Sequence, residues 1–294
     1  MTEIPRLLIQ SLMFAILVSG LVGWWRVFCF WRRSRSTTID TAIPSSDLTS
    51  TSGIMERLVP ARRQKKPFWT PAEFLLAFGL RIILTIGLSG LLIEEAGQAT
   101  APLIVQLAAI VFAIATMLGW LTLLQRDALQ RLGFHFKKDD LKLGLISTPL
   151  ILSVVMIISL LASSIVEYEH PVLKSLFENK SILFCVLTFL TTAIATPIYE
   201  EFLFRGLLQG SLQALANPTP TGETWKPLAV WPVIVSSLIF AAMHFPGQGA
   251  APIPIFVLSI GLGYLYRQTG SLAAPILVHV ILNSITLLDA FTAS

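Results

Sequence analysis

Thr196-Pro197-Ile198-Tyr199-Glu200-Glu201-Phe202-Leu203-Phe204-Arg205-Gly206 sits inside an apolar run that begins near Ser181 and continues to about Leu215. The run is longer than the roughly 20 apolar residues that a helix needs to cross a bilayer. It reads as a membrane helix. Pro197 is expected to kink or divide it, because a mid-helix proline removes a backbone donor and clashes one turn back. In such a setting two adjacent carboxylates and a guanidinium are costly. A charged side chain at the bilayer centre costs at least about 2.5–3.5 kcal/mol on insertion scales, so such residues are retained when they are paired, functional or both.

Composition extends the membrane reading to the whole chain. Of its residues 54% are hydrophobic and 13% charged, where a soluble domain carries about 25% charged residues. Apolar segments recur at 7–31, 71–93, 101–124, 142–166, 181–215, 228–244, 252–266 and 271–290. They predict an all-α polytopic membrane protein with about eight transmembrane helices enclosing a polar intramembrane cavity. The net charge of +4 is modest. The basic residues cluster in the loops around 57–66 and 126–142, which marks those loops as cytoplasmic and argues against a nucleic-acid partner. Cys29 and Cys185 both lie in apolar segments and read as free thiols.

Three regions follow. Residues 1–33 read as an uncleaved N-terminal transmembrane helix, since no small-x-small cleavage site follows the apolar run. Residues 34–70 are Ser/Thr-rich and then basic, and they read as a disordered cytoplasmic linker. Residues 71–294 form a helical membrane domain. Within it Arg81 reads as a snorkelling or paired structural residue, while His135 and His170 fall in polar loops and are assigned no ligand role.

The two carboxylates are not equivalent. Neighbours on a helix point about 100° apart. Arg205 follows Glu201 at i+4, the spacing at which a glutamate and an arginine meet. Glu200 is left without a local partner, and a carboxylate in that position is suited to proton transfer. Phe240 and His244 close the sixth apolar segment. His279 and Asn283, at i and i+4 in the last one, share a helix face, where an imidazole and an amide can bind a developing oxyanion or fix a water. If every segment crossed the bilayer in full, His244 would lie far from Glu200, so for the two to share one site a kink at Pro197, or a tilted or re-entrant segment, must bring them together.

These motifs, EExxxR at Glu200–Arg205, FxxxH at Phe240–His244 and HxxxN at His279–Asn283, stand in separate apolar segments. Together they resemble the CPBP intramembrane protease family, also called Abi or CAAX-protease-like. It includes CAAX prenyl endopeptidases and bacterial proteins linked to bacteriocin maturation and immunity. The resemblance covers about residues 181–290. It implies an intramembrane endopeptidase acting near the cytoplasmic face on membrane-anchored or hydrophobic peptide substrates, in contact with membrane lipids. By the same resemblance Glu200 and His244 activate a water, His279 and Asn283 stabilise the oxyanion, and Glu201, Arg205 and Phe240 support the site.

No metal is required on this reading. The alternative is zinc or another divalent metal held by Glu200, His244 and His279, although the spacing is not the HExxH of zinc proteases. A multi-pass protein of the plasma membrane is expected. Two other functions use the same residues differently. One is a proton- or ion-coupled transporter, against which the lack of an evident internal repeat counts. The other is a non-catalytic immunity or scaffold protein.

Overall fold

The computed structural model describes residues 3–37, 58–96, 100–164, 181–217, 224–227, 229–245 and 252–293. Nearly all of them are helical: α1 (Glu3–Thr37), α2 (Pro71–Ala96), α3 (Ala101–Leu124), α4 (Ala128–Leu132), α5 (Lys138–Ser163), α6 (Ile182–Ala216), α7 (Trp231–Met243), α8 (Pro252–Thr269) and α9 (Ala273–Ala293). Two short strands, β1 (Gln64–Lys65) and β2 (Thr224–Trp225), pair antiparallel.

The helix starts are written locally. Thr70 and Glu73 form a reciprocal cap on α2. The Glu73 carboxylate accepts from the Thr70 backbone N–H at 2.8 Å, the Thr70 hydroxyl accepts from Ala72 N–H at 3.2 Å, and Pro71 takes the first helical position. The Ser181 hydroxyl caps α6 by accepting from Phe184 N–H. Asp139 and Asp140 occupy the first turn of α5, where the helix dipole favours anions.

Six of these helices, α1, α2, α3, α5, α6 and α9, are long and apolar enough to cross a membrane. Their outer faces carry exposed Leu91, Leu123, Leu160 and Ile182, as expected where lipid replaces water. The chain is an all-α, multi-pass integral membrane protein. Among the described residues these six stand beside the shorter apolar helix α7, where about eight spans were expected. With 13 residues, α7 is about 20 Å long, short of the ~30 Å hydrocarbon core. α8 is not among the six either. The helices of the sixth and seventh apolar segments pack on each other, α7 on α8.

α1 lies along α5. A Cβ on Gly20 would sit 2.2 Å from the Pro149 carbonyl oxygen, so only glycine admits this approach. The Trp24 indole N–H donates to Leu150 O at 2.9 Å. The main core surrounds the middle of α6, where Tyr199, Phe202, Leu203, Phe204 and Leu207 meet side chains of α2, α3, α4 and α7.

Residues 38–57 of the expected linker, and His170, lie outside the described residues. Residues 58–70 differ from the linker expectation, because they run as a strap across the basic end of the bundle. Arg62 pairs with the buried Asp140, and Lys65 reaches Asp127 at 2.9 Å. Gln64 donates to Arg267 O at 2.8 Å, Gln268 donates to Val59 O, and the buried Trp69 donates to Gly206 O at 3.2 Å. The polarity that resembles disorder in sequence is spent on carbonyls and carboxylates of distant helices. His135, beside the strap, is half-buried, and its backbone O accepts from the Ser271 hydroxyl at 3.1 Å. Desolvation, then the Lys137 charge, pushes its pKa below the usual histidine value.

Candidate active site

α6 is not a uniform helix. Two wide π turns, Phe189–Ala195 and Phe202–Gln209, flank a regular segment, Thr196–Glu201, that carries both glutamates. Pro197 thus sits immediately after a wide turn. The expected division of the helix takes this form, with hydrogen bonding that skips one residue.

Glu201 is completely buried with Arg205, with Arg205 Nε 3.1 Å from Glu201 Oε2. The pair has ion-pair distance without hydrogen-bond direction. The guanidinium is held otherwise by Ser259, whose hydroxyl and carbonyl oxygens accept from Nη2 at 2.9 and 3.2 Å. It also lies 4.9 Å over the Phe240 ring. The other oxygen of Glu201 lies 2.8 Å from His279 Nδ1. Glu201 therefore bridges Arg205 and His279, a second contact that its i+4 spacing does not reveal.

That bridge orients His279. With Nδ1 donating to Glu201, Nε2 is turned to Glu200, 3.6 Å from Oε2. His244 is held in the same manner from the other side. It caps the end of α7, its Nδ1 donates to Phe240 O at 2.8 Å, and its Nε2 lies 3.9 Å from Glu200 Oε1. Two imidazoles, each fixed through Nδ1, thus present Nε2 to the two oxygens of one carboxylate. Both separations exceed a direct hydrogen bond and suit a bridging water. Exposure is graded across the cluster: the side chains of His279, Glu200 and His244 are 5%, 15% and 23% exposed. The site opens on the His244 side.

The short α7 explains the convergence. It runs back along α6 from the basic end, with the Ser236 hydroxyl donating to Phe204 O at 3.0 Å and the Phe240 ring edge-on to Phe204 at 4.8 Å. One further turn brings His244 to Glu200, where α7 stops. α9 approaches in the same antiparallel sense, with Leu272 near Gly206 and His279 at the glutamates.

Glu200, His244 and His279 therefore meet, with Glu201, Arg205 and Phe240 packed behind them. Asn283 is directed elsewhere, as its amide donates to Thr192 O on α6 at 2.9 Å. Arg81 lies 5.0 Å over the ring of Tyr199, the neighbour of Glu200. Ser259 was not foreseen, since one serine in an apolar helix carries no signal of its own. Among the described residues no group of three or more His, Cys, Asp and Glu is arranged to hold a metal ion.

Comparison with known proteins finds matches for part of the chain. Residues 182–285, from the start of α6 into α9, match the model of the type II CAAX prenyl endopeptidase Rce1-like family. An uncharacterized 24.3 kDa protein of Escherichia coli is 28% identical over 131 residues, 44% of this chain and 56% of that protein. The uncharacterized protein YpbD of Bacillus subtilis (strain 168) is 33% identical over 114 residues, 38% of this chain and 48% of YpbD. The chain spans about half the length of these relatives. No solved structure matches it. The matched segment, residues 182–285, holds every member of the cluster, and over it the chain is similar to the Rce1-like family of type II CAAX prenyl endopeptidases.

Proposed function

We propose that the chain is a membrane-embedded endopeptidase that hydrolyses peptide bonds of membrane-associated substrates near the cytoplasmic face, using a water activated by Glu200. The observation that carries this reading is the pair of fixed imidazoles facing one carboxylate at 3.6 and 3.9 Å. A water between Glu200 and His244 gives its proton to Glu200 as its oxygen adds to the scissile carbonyl carbon. In its doubly protonated form His279 keeps Nδ1–H on Glu201 and offers Nε2–H to the resulting oxyanion. As the C–N bond breaks, the proton passes through His244 to the leaving amine. The apolar walls strengthen each of these electrostatic contacts. No step uses a metal. On this reading lipid surrounds the site, the basic residues of the strap support a cytoplasmic face at that end, and the plasma membrane is the proposed location.

The test is cleavage of a membrane-anchored peptide by purified protein in liposomes, with Glu200→Ala and His244→Ala beside the parent. Loss of about 10²–10⁴-fold in kcat is expected for each, the usual contribution of a proton-transfer group. Undiminished cleavage by both variants would sink the reading.

A further inference from the structure

Arg81 stands at the midpoint of the apolar stretch Pro71–Leu91 of α2. It is about 15 Å from either end of that stretch, near the centre of a ~30 Å hydrocarbon core. A cation at that depth is costly to keep without a partner. Its side chain does not run to an interface. The guanidinium lies 5.0 Å over the ring of Tyr199 on α6. That ring is itself fixed, since Tyr199 is buried and its hydroxyl donates to Ala77 O, one turn before Arg81, at 3.2 Å. Arg81 is partly exposed. Among the described residues no carboxylate comes within ion-pair distance of it. The charge is held in place, yet no protein anion answers it.

The packing puts that charge beside the opening of the site. Phe204 carries α2 on one side and α7 on the other, its ring meeting Phe74 at 5.4 Å and Phe240 at 4.8 Å. Further from the basic end, Tyr199 keeps the α2 side and Glu200 the α7 side. α7 stops at His244, whereas α2 runs on to Ala96. The space beyond His244 is therefore bordered by α2 at the level of Arg81, and this is the side on which the cluster is most exposed.

We propose that Arg81 is a substrate-binding residue: it receives the C-terminal carboxylate of a peptide whose scissile bond lies at Glu200. The position of that bond rests on the endopeptidase reading. A guanidinium takes a carboxylate through two parallel N–H donors, and apolar surroundings strengthen the pair. A phospholipid phosphate sits at the interface, about 15 Å away by the helix rise. Tyr199 and Glu200 are neighbours in the chain, so one side chain separates the two charges. An extended peptide advances about 3.3–3.6 Å per residue, which places the accepted carboxylate about two to four residues past the cut. The site then selects chains that end there. Arg81 lies outside the matched segment 182–285, so this contact is contributed by α2.

The experiment uses full-length protein in uncharged detergent and two membrane-anchored peptides that differ only at the end, a free carboxylate or a primary amide. The parent is expected to cleave the carboxylate peptide with a kcat/KM about 10–100-fold higher, the usual worth of a hydrogen bond between charged groups. The difference should fall mainly in KM. Arg81→Met keeps an unbranched apolar stem over Tyr199. It should erase the preference by weakening the carboxylate peptide alone, with the amide peptide little changed. Equal losses on both peptides would mark a structural role and overturn the proposal. A parent without preference overturns it too, as does a preference that appears only when anionic lipid is added. Equilibrium binding of the same peptides to Glu200→Gln, with and without Arg81→Met, separates the two readings. Carboxylate-selective binding that needs Arg81, in a parent that cuts neither peptide, sinks the endopeptidase reading and leaves the carboxylate site standing. Cleavage with no selectivity in binding does the reverse.

Discussion

Glu200 and Glu201 are covalent neighbours with opposite circumstances. Glu201 is wholly enclosed between Arg205 and His279, whereas Glu200 faces the opening. Removing one member of a buried ion pair strands the other, at a cost of about 3–5 kcal/mol. Arg205→Met is therefore expected to lower stability by that order in denaturant titration, and Glu200→Gln by far less. If the two variants prove equally stable, the division of roles between the carboxylates is wrong. Replacing both partners, Glu201→Met with Arg205→Met, should cost less than the two single changes summed, since neither charge is then left alone. The i+4 link from Glu201 to Arg205 was legible in the sequence because it is set by helix geometry. The link from Glu201 to His279 spans 78 positions and depends on the packing of α9 on α6, which no local pattern encodes.

At the level of elements, the site depends on two departures from regular helix: the wide turns of α6 and the early stop of α7. Pro197 announced the first without revealing its form. The second was hidden because the apolar run at 228–244 is nearly span-length, while the helix begins only at Trp231. The strap was misread for a related reason. Its apolar burial is confined to Ala61, Pro67, Phe68 and Trp69, and its hydrogen bonds go to groups far along the chain. Trp69→Ala removes the one large anchor against Gly206 and should cost about 3–5 kcal/mol. A melting temperature within a degree of the parent would show that the strap is not held there.

For the whole molecule, composition was enough to give the all-α membrane class, and the three motifs were enough to find the cluster. The acid response, by contrast, belongs to the basic end outside the bilayer. Hydrogen bonds from Arg131 and then Lys65 hold the Asp127 carboxyl down to about 2 from 3.8. Its contribution is complete above 3.8 and is lost as pH falls toward 2. His135 is kept neutral by burial. Its contribution is complete above 6.5 and is lost as pH falls through its lowered value. Both signs agree, so melting temperature is expected to fall as pH drops from 7 toward 3. Asp127→Asn should flatten the part of the curve below 4, and a rise in melting temperature on acidification would contradict the assignment.

The strap also sets an order of events during synthesis. Val59 and Gln64 find their partners 209 and 203 positions later, at Gln268 and Arg267. No nascent chain can close its basic end before α8 has left the ribosome. His279 emerges only a few residues afterwards, so the fastening of the strap and the completion of the Glu200 cluster fall within one short interval of translation. Until then α1 to α5 must persist in the bilayer on their own contacts, such as the close approach of Gly20 to Pro149. The assembled cluster is therefore a property of an almost finished polypeptide.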